Sequence, residues 1–201
     1  MHQARRAWIR CRTDQTRPDQ NMSTYIILLR GVTPTGKNKV LMAPLREALT
    51  KAGLKEVQTY IQSGNIIAAS DLSSQKIEDL VHEVICRNSG GDIKVLARTP
   101  DQLSAIMEAN PFKDASSPQP YFSLLAAEPD EDLVKEFLST DFLPDQISYM
   151  NNTLYTLYAT KLSDSKFNNN YFERKLKVAA TTRNINTMNR LLELARALQA
   201  G

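Results

Sequence analysis

Seven consecutive residues, Thr181-Thr182-Arg183-Asn184-Ile185-Asn186-Thr187, set six hydrogen-bonding side chains around one apolar residue. They stand directly before Met188, Leu191, Leu192, Ala195 and Leu198, whose spacing predicts an amphipathic helix. Thr and Asn compete with the backbone inside helices, whereas at a helix start they cap free amides. An arginine beside those amides and the positive end of the helix dipole can hold an anion. Capping by Asn184 or Asn186 is the plainer use of the run. It accounts for one side chain and leaves Thr181, Thr182, Arg183 and Thr187 without a structural reason.

Two further stretches offer chemistry. Gly31-Val32-Thr33-Pro34-Thr35-Gly36-Lys37-Asn38 has the spacing of a phosphate loop up to its last position, where Asn38 replaces the Ser or Thr that would hold magnesium. A hairpin rather than a parallel crossover is expected after it, which argues against nucleotide hydrolysis. Its backbone amides, with Lys37 and Lys39 nearby, can still hold a phosphate. Gln62-Ser63-Gly64-Asn65 reads as a hairpin turn, with Gly and Asn supplying positive backbone angles. The alternative makes Ser63 and Asn65 ligand contacts, or Ser63 a nucleophile. A nucleophilic serine needs a positioned base, and beyond the N-terminal leader the only histidine is His82, which reads as a solvated helix residue. Cys86 reads as a small core or boundary residue. One His and one Cys do not make a zinc site, and no motif asks for a cofactor.

The elements that must position these groups follow from periodicity. Thr24 to Arg30 reads as a strand, Leu41 to Ala52 as a helix ended by Gly53, and Val57 to Ile61 with Ile66 to Ala69 as a hairpin. A helix over 74–87, a strand over 93–98 and a helix opened by Thr99-Pro100 complete a unit. The order then repeats: strand 121–126, helix 130–138, hairpin strands 147–150 and 154–158, helix 169–176, strand 178–181 and helix 186–198. The expected fold is α+β, built from two ferredoxin-like repeats packed together, at 23–112 and 113–201.

Composition sets the class. With 201 residues, 42% of them hydrophobic, the chain can bury a full core. Its longest aliphatic run, Ile26 to Leu29, is far short of the roughly 20 apolar residues of a spanning helix. Cys11 and Cys86 lie in unlike contexts, which suits a cytoplasmic protein without a disulfide framework. The net charge of +3 comes from residues 1–22, which hold five arginines against two aspartates and read as a disordered leader, a targeting peptide or a stretch ahead of a true start at Met22. In the rest, residues 23–65 are net +4, residues 66–164 net −9 and residues 165–201 net +5. Positive potential is therefore expected where the two terminal segments meet.

Leu28-Leu29-Arg30-Gly31, Gly36-Lys37-Asn38, Thr59-Tyr60-Ile61-Gln62-Ser63-Gly64-Asn65, Asn110-Pro111-Phe112 and the run at 181–187 together resemble the domain-of-unknown-function 1697 family over residues 23–198. The resemblance implies two ferredoxin-like repeats and no particular reaction. The chain departs from the family pattern at Val32-Thr33-Pro34-Thr35-Gly36, where Ile-Asn-Val-Gly-Gly is usual, and at Ile185, where an aromatic is usual.

The leading expectation is a binding module for a phosphate-bearing or other anionic small ligand at the junction of the repeats. The residues expected there are Arg30, Gly31, Lys37 and Asn38, then Gln62, Ser63 and Asn65, and finally Thr181, Thr182, Arg183, Asn184, Asn186 and Thr187. A metal-independent enzyme using Ser63 or Lys37 chemically, with Arg183 stabilising charge, is the second reading. The third is a single-stranded nucleic-acid module stacking bases on Tyr60, Tyr155 and Tyr158, although residues 23–201 carry no net basic charge.

Overall fold

A computed structural model describes residues 22–200, except 34, 37, 116 and 117. The leader at 1–22 therefore lies, but for Met22, outside the described residues.

The first unit runs β1 (Ser23–Leu29), α1 (Met42–Lys51), β2 (Lys55–Tyr60), β3 (Asn65–Ser70), α2 (Ser74–Ser89), β4 (Val95–Arg98) and α3 (Pro100–Glu108). The second runs β5 (Tyr121–Leu125), α4 (Glu131–Leu138), β6 (Gln146–Met150), β7 (Thr153–Leu157), α5 (Asn169–Leu176), β8 (Ala180–Asn184) and α6 (Ile185–Ala200). Each forms a four-stranded antiparallel sheet, ordered β2-β3-β1-β4 and β6-β7-β5-β8. The two orders are the same permutation, so the expected α+β pair of ferredoxin-like repeats is what the chain forms. Local signals set the helix ends: Ser73 caps α2, Thr99 and Gln102 make a capping box at α3, Asp130 caps α4 and Asn168 caps α5.

Strand alternation divides the core in three. Ile27, Leu29, Ile66 and Ala97 of the first sheet pack under α1 and α2. Leu125, Leu154 and Ala180 of the second pack under α4 and α5 with Phe137 and Phe172. The opposite faces, with Ile26, Leu28, Ile67 and Leu96 on one sheet and Phe122, Leu124 and Tyr155 on the other, share a core with Leu103 of α3 and Met188 and Leu191 of α6. Helix α6 of the second repeat packs on β1 and β3 of the first, which ties the halves together.

Two expectations change. Strand β8 runs past its expected end at Thr181 to take in Thr182, Arg183 and Asn184, paired with β5. The three tyrosines expected to stack bases are packed inward: Tyr155 and Tyr158 are buried, with their hydroxyls donating to the carbonyls of Ile106 (3.0 Å) and Phe167 (2.8 Å), and Tyr60 packs against the shared core. Among the described residues no helix is long and apolar enough to cross a membrane.

Candidate functional site

The register of β8 decides what its polar residues do. Arg183 lies opposite Phe122 and Thr181 opposite Leu124, so both point towards the first repeat, while Thr182 pairs with Ser123 on the other face. Arg183 is 8% exposed and all five of its N–H groups are spoken for. Nε donates to Asn65 Oδ1 (2.5 Å), Nη1 to Thr181 Oγ1 (2.9 Å) and the Thr182 carbonyl (2.8 Å). Nη2 donates to the carbonyls of Leu29 (3.0 Å), Ser63 (3.0 Å) and Gly64 (3.2 Å). Burial lowers the pKa of the guanidinium to about 10, which leaves it charged at neutral pH. A charge held by six oxygens from three strands and a turn is a clamp between the repeats.

The Gln62-Ser63-Gly64-Asn65 turn is the other jaw of that clamp. Gly64 has a φ of +77°, and a Cβ on it would meet Leu29 Cβ at 2.7 Å and Val32 Cγ2 at 3.1 Å. No other residue fits. Fully buried Asn65 donates to the Tyr60 carbonyl (3.1 Å) and Ser63 Oγ (3.0 Å), and Gln62 Nε2 donates to the Val40 carbonyl (2.7 Å). Ser63 thus has an amide beside its hydroxyl, and His82 is engaged elsewhere. Asn184 caps α6 through the Thr187 amide (2.8 Å), Asn186 bonds Gln119 (3.0 Å) and Thr187 is 9% exposed. The expected anion site at the start of α6 is not assembled, because strand geometry turns Arg183 away from it.

Arg30 stands at the junction itself. Its Nε and Nη2 donate to Glu173 Oε1 (2.8 Å) and Oε2 (2.6 Å), and Nη2 also to Asn170 Oδ1 (2.7 Å). The bonds to Glu173 hold its pKa above the ordinary value, against the lowering effect of partial burial. Two cavities meet at this side chain. A smaller one, about 210 Å³, is lined by Arg30, Thr182 and Asn168 to Asn170. The larger, about 790 Å³, opens between the repeats, with Arg30, Asn38, Glu78, His82, Lys94 and Lys177 in its wall. Asn38 reaches it while its amide donates to the Gly31 carbonyl (3.3 Å), and Lys37 lies outside the described residues.

The charges of this cleft are unequal in their pairing. Glu173 is held by Arg30, and Glu78 faces Arg98 at 3.5 Å while accepting from the Ala97 amide at 2.8 Å. Lys94 and Lys177 have no ion pair among the described residues. Lys94 leads into β4 of the first repeat, and Lys177 is the left-handed C-cap of α5 in the second. No group of three His, Cys, Asp or Glu side chains among the described residues is placed to hold a metal ion.

Over residues 22–155 the chain matches the family described as "Protein of unknown function (DUF1697)". It belongs to the DUF1697 family. The matched span contains Arg30, Asn38, Lys94 and the Ser63 turn, and it ends before Lys177 and the run at 181–187. This DUF1697 protein is also similar in fold to a solved structure, that of a conserved bacterial protein from Streptococcus pneumoniae, with a TM-score of 0.70 and 23% identity over 87% of this chain and 99% of the other. No curated protein matches the chain significantly.

In this DUF1697 protein, then, the expected residues part company. Arg30 and Asn38 face the large cleft, Arg30 and Thr182 the small one, and Ser63, Asn65, Thr181 and Arg183 make the clamp. The cleft residues missed from sequence are Lys94, Lys177 and the α2 face carrying Glu78 and His82. For α2 the signal was present, since residues 75, 78, 79, 82 and 86 recur at helical spacing as one polar face. For the lysines there was none, because their nearness is tertiary.

Proposed function

We propose that this DUF1697 protein binds a phosphate-bearing or other anionic small ligand in the cleft between residues 23–112 and 113–201. The observation that carries the reading is the pair Lys94 and Lys177, one from each repeat, lining a cavity of about 790 Å³ without carboxylate partners among the described residues. That volume is of the size ordinary for small-molecule pockets. Arg30, neutralised by Glu173 and fixed by Asn170, supplies a rigid wall rather than the main charge. Asp79 and Asp92 also line the cleft, which favours a ligand bearing hydroxyl or amino donors beside its anion. A free thiol, Cys86, suits the cytoplasm as the place of action.

Calorimetric titration with inorganic phosphate, nucleotides and sugar phosphates tests the proposal. Binding of at least one of these is expected, weakened about 10- to 100-fold by Lys94→Ala combined with Lys177→Ala, the loss of charge-assisted contacts. No binding across the panel, or equal binding by the double variant, would refute it.

A further inference from the structure

Cys86 and His82 lie one turn apart on α2, at i and i+4, so their side chains share a face. Cys86 Sγ is 3.4 Å from His82 Nε2. On the far side of the ring, Nδ1 is 3.0 Å from the Ile93 carbonyl, which can only accept. That bond places the ring proton on Nδ1 and leaves Nε2 free to accept. Asp92 Oδ1, on a fully exposed side chain, stands 3.7 Å from Nε2. The thiol is half-buried and also lies 3.3 Å from the Gly91 carbonyl, so its one proton has two acceptors.

A nucleophile, a base in contact with it and a carbonyl that orients the base are the parts of an activated thiol. None of the three is used by the clamp or by the lysines of the cleft. The imidazole forms part of the wall of the inter-repeat cleft, and its side chain is 42% exposed. Cys86 lies one turn further along α2, outside the lining of that cleft. A half-buried thiol favours a small electrophile over a bulky acyl donor.

We propose that Cys86 and His82 form a nucleophilic thiol site at the edge of the cleft, reactive towards small hydroperoxides. His82 Nε2 takes the thiol proton, and Cys86 Sγ attacks the distal oxygen of the peroxide. The S–O bond forms as the O–O bond breaks. Sulfur is oxidised to the sulfenic acid, the peroxide is reduced to water or an alcohol, and the proton on His82 passes to the departing oxygen.

The test uses the full chain with Cys11→Ser, so that Cys86 is the only thiol. The protein is treated with hydrogen peroxide, sulfenic acid is trapped with dimedone, and the adduct is followed by mass spectrometry alongside the rate of iodoacetamide alkylation. Cys86 is expected to react in the native state in both assays. His82→Gln should slow both rates about tenfold or more, the lower range of general-base assistance. Added imidazole should restore much of the rate in His82→Ala, a rescue that a purely structural histidine would not give. Thermal melting of each variant checks that the fold is intact. A native Cys86 inert to both reagents, rates within twofold in His82→Gln, or no rescue by imidazole would each overturn the proposal.

Discussion

The clamp around Arg183 and the cleft around Lys94 and Lys177 are both polar, both charged and both made by the two repeats together. They differ in accounting. In the clamp every donor of the guanidinium meets an oxygen, and the arginine is 8% exposed. In the cleft two cations from different elements have no ion pair among the described residues and face open space. A dense polar run in a sequence marks a demand for hydrogen bonds, which the fold itself can meet. A binding surface is where the demand is left over.

The comparison can be broken most sharply at Arg183. Arg183→Ala strips the donors from Asn65, Thr181 and the carbonyls of Leu29, Ser63 and Gly64, and should cost about 3–5 kcal/mol in urea unfolding, the scale for dismantling a buried charged network. A cost below about 1 kcal/mol, the worth of one ordinary hydrogen bond, would mean the clamp is ornamental. Arg183→Lys should recover little, because a point charge cannot match a planar fork. The cost should also be the same at pH 6 and pH 8. A folded-state pKa lowered to about 10 by burial means that the unfolded chain holds the extra proton only above that value, so this group makes stability rise with pH there and nowhere lower.

Next comes Gly64→Ala, which combines a φ of +77° with a 2.7 Å contact on Leu29 and should cost about 2–3 kcal/mol in the same assay. Arg30→Gln should cost about 1 kcal/mol or less, shrinking further in high salt, since its pair with Glu173 is a quarter exposed. Lys94→Ala should change stability by less than about 0.5 kcal/mol, as expected of a surface substitution touching no partner. A large destabilisation there would turn the cleft into a second structural cluster and erase the contrast.

Much of the architecture was legible because strand and helix periods are local. The two repeats, the succession of their elements and most boundaries followed from where Gly, Pro and apolar residues recur. The strand β8 was read too short for a physical reason: Thr182, Arg183 and Asn184 look like a loop by polarity, and only a partner strand and a buried acceptor cluster make them a strand. The Ser63 turn was legible as a turn, and Gly64 makes it one. His82 and Cys86 were weighed singly, and each alone looked inert; their spacing of four along α2 was the missed clue. Lys94 and Lys177 are 83 positions apart in the sequence and could be joined only by the fold.

Chemical-shift mapping with the phosphate-bearing ligand that binds most tightly tests the contrast in one experiment. Titration should move the signals of Lys94, Lys177 and Asn38 and leave the Arg183 Nε signal where it was. Movement of Arg183 Nε, with Lys94 and Lys177 unmoved, would contradict the account.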